Sequence, residues 1–193
     1  YSTYPDGKYN NSYDSEKPLF QVGIETALAA SNSDYKYSLF TGGVSQKITL
    51  SNKGKFRYNV SGGLFADADK ISFIDFKHFN GNQTHFTQNS QLKRFALLPY
   101  YSLSTNKNYA EIHAEHNFKG YILGKIPLLN KLNFNLVLSS HIAILDGNKP
   151  YSEYAVGLSN IGWGKVRILR VDFVKSFHNG ISETGLMFGV KLN

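Results

Sequence analysis

Apolar and polar side chains alternate at every second position along segments of about ten residues or more, and this narrows the possible folds of the chain most. From 55 to 66, Phe56, Tyr58, Val60, Gly62, Leu64 and Ala66 share one parity, and Lys55, Arg57, Asn59, Ser61, Gly63 and Phe65 take the other. Successive side chains of a strand point to opposite faces, so such a segment is a ribbon with one oily and one polar face. The split recurs. Phe20, Val22, Ile24 and Leu28 oppose Gln21, Gly23 and Glu25; Ala110, Ile112, Ala114 and Phe118 oppose Glu111, His113, Glu115 and Asn117. Leu132, Phe134, Leu136, Leu138 and Ile142 oppose Asn133, Asn135, Ser139 and His141, and Leu186, Phe188, Val190 and Leu192 oppose Glu183, Gly185, Gly189 and Lys191.

This pattern predicts nine strands: 19–30, 37–50, 55–66, 71–79, 108–118, 132–144, 151–160, 164–176 and 181–192. Strands 71–79 and 164–176 alternate least cleanly, and 94–102 reads as a tenth strand or as loop. Strands of globular proteins usually run about 5–6 residues, whereas about 9–11 are needed to cross a bilayer at a tilt. Length therefore separates a membrane barrel from a soluble sandwich, and the expected fold is an all-β, antiparallel transmembrane β-barrel forming a single domain over 1–193. No apolar run approaches the length of a membrane-spanning helix, which does not exclude a barrel, since barrel strands are apolar only at alternate positions. Turn residues at Ser51-Asn52-Lys53-Gly54, 146–150 and His178-Asn179-Gly180 fit hairpins. Residues 1–18 read as loop, 120–131 has room for a helical turn, and 80–107, rich in Asn, Gln, Ser and Thr, reads as a long extracellular loop.

Tyr37, Tyr58, Tyr101, Tyr109, Tyr121, Tyr151, Tyr154, Trp163 and Phe177 fall near strand ends. They read either as the aromatic girdles of a membrane barrel or as the ordinary enrichment of aromatics in strands. The net charge of +7 admits nucleic acid as a partner, but the basic residues are scattered and nucleic acid is not expected. With no cysteine, disulfides and thiolate metal sites are excluded.

Segments 76–84 (Phe-Lys-His-Phe-Asn-Gly-Asn-Gln-Thr), 97–106, 109–118 and Lys125-Ile126-Pro127-Leu128-Leu129, with a closing hairpin from Gly157 to Leu192, resemble the barrel of the Omp85 superfamily. More narrowly, they resemble the Bacteroidota DUF5686 family, which joins a carboxypeptidase-regulatory-like domain to a barrel; the likeness covers roughly 70–193. It implies a 16-stranded barrel preceded by periplasmic domains, with this chain as its C-terminal half. A chain that starts at Tyr1 and has its one Met at Met187 also reads as processed or trimmed. The resemblance further implies a location in the bacterial outer membrane. The implied function is non-covalent handling of outer-membrane or surface proteins, with outer-membrane lipid and other envelope proteins as partners. A scaffold barrel in an envelope complex, or a small lipid-modifying or channel barrel, are the alternatives. The superfamily's lumen lock pairs an Arg-Gly loop tip with an Asp on a following strand. Here the loop reads Phe79-Asn80-Gly81 and 132–144 holds no Asp, so that lock does not transfer.

Phe79, Asn80 and Gly81 are either a lumen-inserted loop tip or a surface turn. His113, Glu115 and His116, with His141, offer metal-ligating types, but a hydrogen-bonded lumen wall of Glu111, His113 and Glu115 is the better reading. Arg170 and Asp172, two apart on one face, are the candidate lumen pair. Leu186, Phe188, Val190 and Leu192 are the expected lipid face of the closing strand. No motif singles out a nucleophile, so neither a catalytic residue nor a cofactor is expected.

Overall fold

The computed structural model describes residues 2–3, 9–10, 16–27, 36–88, 92–164 and 166–190. Eight long strands dominate them: β1 (Leu19–Ala27), β2 (Tyr37–Thr49), β3 (Lys55–Ala66), β4 (Tyr109–Asn117), β5 (Asn135–Leu145), β6 (Tyr151–Trp163), β7 (Val166–His178) and β8 (Ile181–Val190). They are 9–13 residues long and pair in chain order as one antiparallel meander. The sheet is open: among the described residues β1 and β8 do not pair, and a three-residue strand, Phe86–Gln88, lies parallel to the outer edge of β8.

Alternation marks these strands because rows of like chemistry run across the sheet on each face. One row runs Asn59, His113, His141, Glu153, Ser176, Glu183 across six strands. The row Leu138, Val156, Phe173, Leu186 lies on the opposite face. A one-residue slip would swap the two faces of a strand, so this polarity fixes register. Turn chemistry agrees with it. Asn179 (φ 52°) and Gly180 (φ 79°) form the two-residue β7–β8 turn, with the left-handed angles such a hairpin needs.

The stretch 71–79 is not a strand. Ile71, Phe73, Ile74, Phe76 and Phe79 keep no period of two. The amides of Asp75 and Phe76 donate to Ser72 and Phe73 in a 3-10 turn (Phe73–Asp75), and only Lys77–His78 extends, pairing with Ser104–Thr105. Strand β3 pairs directly with β4, which leaves 71–79 no place in the sheet. Segment 94–102 is loop as well. Where 132–144 was expected, a short helix (Leu129–Leu132) and Asn133 at φ 53° come first, and β5 starts at Asn135. The weak alternation around 164 reflects a bulge: the β6–β7 register shifts at Ile161, beside Asn160 at φ 63°. The 1–18 stretch contains a short pair, Ser2–Thr3 with Tyr9–Asn10.

The long connection 67–108 does not hang free at the end of the sheet. It folds across the inner face, where Phe79, Phe95, Leu98 and Leu103 pack against Ala143, Leu145 and Tyr151. Ala96 meets Ala155, Val174 and Met187, and Ala68 and Ile71 meet Tyr37.

Candidate functional site

The two faces of the sheet are inverted relative to a soluble sheet, which buries its apolar face. The outward side chains are oily and exposed: Val22 is 88 % exposed, Phe20 74 % and Phe173 51 %, with Leu64, Leu138, Val156, Leu186, Phe188 and Val190 on the same face. Leu192 lies outside the described residues. The inward side chains include buried ionisable groups, Glu111, His113, Glu115, His141, Glu153 and Asp172, beside the apolar residues that meet the loop.

Two polar networks line the inner wall. In one, Arg170 donates through Nε to Asp172 at 2.7 Å and through Nη1 to Glu115 at 2.6 Å, and Arg57 binds the other oxygen of Glu115. Gly157 faces Asp172 across β6 and β7. A Cβ there would run into the Asp172 carboxylate, which Arg170 holds in place. Gly157→Ala is therefore expected to destabilise the fold by about 1–3 kcal/mol through overpacking, seen as a lower urea midpoint of unfolding.

The other network joins Lys77 to Glu111 at 2.6 Å. Glu111 meets His113 Nε2 at 3.4 Å, and His113 Nδ1 meets His141 Nδ1 at 2.9 Å. If Nε2 of His113 donates to Glu111, its Nδ1 accepts from His141, and Nε2 of His141 is a bare acceptor, in keeping with its having no hydrogen-bond partner. Phe95, fully buried, packs on both imidazoles and on Tyr151. At the edge of this network, partial burial lowers the Lys93 ammonium from the ordinary lysine value, opposed by Glu111 and reinforced by Lys77.

Glu153 anchors the loop itself. It is 0 % exposed and accepts hydrogen bonds from the backbone amides of Ala96 (2.6 Å) and Leu97 (2.8 Å) and from the Tyr151 hydroxyl. Phe79 and Gly81 are buried and Asn80 is exposed. They lie beside the loop's return segment: the Phe95 amide donates to Asn80 and the Asn82 amide to Leu98. Gly81 is needed because a Cβ would strike the Leu98 carbonyl, not because the backbone bends there.

The girdle reading fails for part of its set. Tyr37 and Tyr151 are buried on the inner face and Tyr109 packs against the inner cluster, whereas Tyr154, Trp163 and Phe177 are exposed. His113, Glu115 and His116 do not converge: His116 lies outward, bonded to the Lys53 carbonyl, and no group of three or more His, Cys, Asp or Glu suited to a metal occurs among the described residues. Sequence reasoning missed Phe95 and Glu153. The parity of 151, 153, 155 and 157 was a usable signal for the second.

Together these features define a class: an open all-β antiparallel sheet with a charged inner wall, an apolar outer wall and a loop of its own laid across the inside. The chain belongs to a family of unknown function (DUF5686), whose C-terminal domain model matches residues 1–158. The match takes in β1–β5 and ends within β6, so it reaches further toward the N-terminus than the likeness read over 70–193 and leaves out β7 and β8. No curated protein and no solved structure matches.

Proposed function

We propose that this chain is part of the wall of an outer-membrane β-barrel of the Omp85 type, the C-terminal part of a 16-stranded barrel, and handles other outer-membrane or surface proteins without covalent chemistry. One observation carries the membrane reading: strands of 9–13 residues place oily side chains outward and ionisable ones inward. Hydrocarbon rewards that polarity, and water does not. No helix among the described residues is long and apolar enough to cross a membrane, which says nothing of strands.

The handling role draws support from the β8 edge. Among the described residues, β8 is covered on that side by the parallel strand Phe86–Gln88 at Phe188, Gly189 and Val190 and by His85 at the Leu186 carbonyl, which leaves Ile181–Gly185 without a paired strand there. An under-paired edge is a template for an incoming strand. The loop packed on the inner wall favours this over an open channel. The test is photocrosslinking from Ser182 and Thr184 of the full-length protein in native outer membranes. Adducts with newly made barrel proteins, lost when synthesis stops, are expected. A single constant adduct would instead support the scaffold reading.

A further inference from the structure

The connection 118–134, between β4 and β5, has a composition that the wall reading leaves unused. It exposes Ile126, Leu128, Leu129 and Leu132, and Lys119, Lys125 and Lys131 are exposed among them. No Asp or Glu occurs from 116 to 145. The neighbouring turns with their flanking strand ends, 46–57 and 158–171, also hold none, Glu16 beside Thr49 being the acid at this end among the described residues, whereas Asp67, Asp69, Asp75 and Asp146 lie in connections at the opposite end. Leu128 is 78 % exposed at φ 73°, ψ −47°, a conformation that strains a branched side chain. The backbone thus turns an apolar side chain outward where solvent gives no reward for it.

The segment is fastened to the next hairpin: Arg167 donates to the Leu132 carbonyl at 2.6 Å and Asn160 to the Asn133 carbonyl at 2.7 Å. That hairpin presents Trp163, 91 % exposed and the one tryptophan of the chain. Tryptophan favours the headgroup layer, as do apolar residues flanked by lysine. The connection starts and ends at the rim of the strand span, the level at which that layer would lie.

We infer, resting on the membrane reading above, that 118–134 is an interfacial anchor: its four apolar side chains enter the acyl boundary of an anionic phospholipid leaflet, and its three lysines engage the phosphates. Each lysine near such a surface strengthens attraction about fivefold at moderate salt.

The chain lacks cysteine, so single labels are clean. Leu128→Cys and, on the outer face of β6, Val156→Cys carry a fluorescent label in the full chain. The protein is reconstituted in vesicles of phosphatidylcholine alone or with phosphatidylglycerol as the minority lipid. Acrylamide quenching at position 128 is expected to fall on the order of threefold when phosphatidylglycerol is present, and Lys125→Glu with Lys131→Glu is expected to erase that difference. Equal, free quenching at 128 in both vesicles, with 156 shielded, would overturn the anchor and leave this face to a protein partner. Free quenching at 156 as well would overturn the membrane reading and the anchor with it.

Discussion

Phe173→Arg is expected to lower the stability of the bilayer-folded protein by about 2–4 kcal/mol, the penalty for a cationic side chain on the lipid face near the midplane. Phe173 lies near the middle of β7, exposed, between Val156 of β6 and Leu186 of β8. In water the same change would replace an exposed phenyl ring by a soluble side chain and fall within about 0.5 kcal/mol of neutral. The sign and size of the effect therefore report the solvent outside the sheet. Urea titration of the wild type and the variant, folded reversibly into vesicles, checks it. An unchanged midpoint would mean that water bathes this face.

Glu153→Ala is expected to release the loop from the inner wall and to destabilise the protein by about 3 kcal/mol, since buried donors left without acceptors carry their full desolvation penalty. The stranded donors are the amides of Ala96 and Leu97 and the Tyr151 hydroxyl. Glu153→Gln should fail to rescue, because both carboxyl oxygens accept and a carboxamide has one acceptor. Hydrogen exchange at the 96 and 97 amides, with trypsin cleavage beside Lys93 and Arg94, reads the release. Retained protection in the alanine variant would show that apolar packing around Phe95 holds the loop unaided.

The strands were legible because their signal is geometric: a pleated chain turns alternate side chains to opposite faces whatever they pack against. Of the nine expected strands, 55–66 has its expected bounds and 37–50, 108–118, 132–144 and 151–160 differ only at their ends, while 19–30 and 181–192 are strands as far as Ala27 and Val190, with their last residues outside the described residues. The eighth, 164–176, was shifted by a bulge that alternation does not encode, and 71–79 does not exist as a strand, because its own short-range hydrogen bonds form a turn. The pair Arg170 and Asp172 was visible from parity alone, and the two side chains meet at 2.7 Å. Their third partner, Glu115, lies 55 residues away from Arg170, a contact only the strand order supplies. The loop's role was hidden for the opposite reason. Phe95 opens an apolar run, 95–101, that keeps no period of two, so the run is visible in the sequence but nothing in it marks Phe95 as the most buried ring. The aromatic girdle was over-read because nearness to a strand end was counted and parity was not. Tyr37 shares its parity with Leu39 and Ser45, Tyr151 with Glu153, and both point inward.

The central claim is that hydrocarbon lies outside the sheet and the charges lie within. Spin labels placed singly from Ser182 to Val190 of β8, in the protein folded into a bilayer, test it most directly through their collision rates with dissolved oxygen and with a water-soluble nickel complex. Even positions, among them Leu186 and Phe188, should favour oxygen, and odd positions such as Gly185 and Met187 should not, giving a period of two. High nickel access at 186 and 188, or a profile without alternation, would contradict the account.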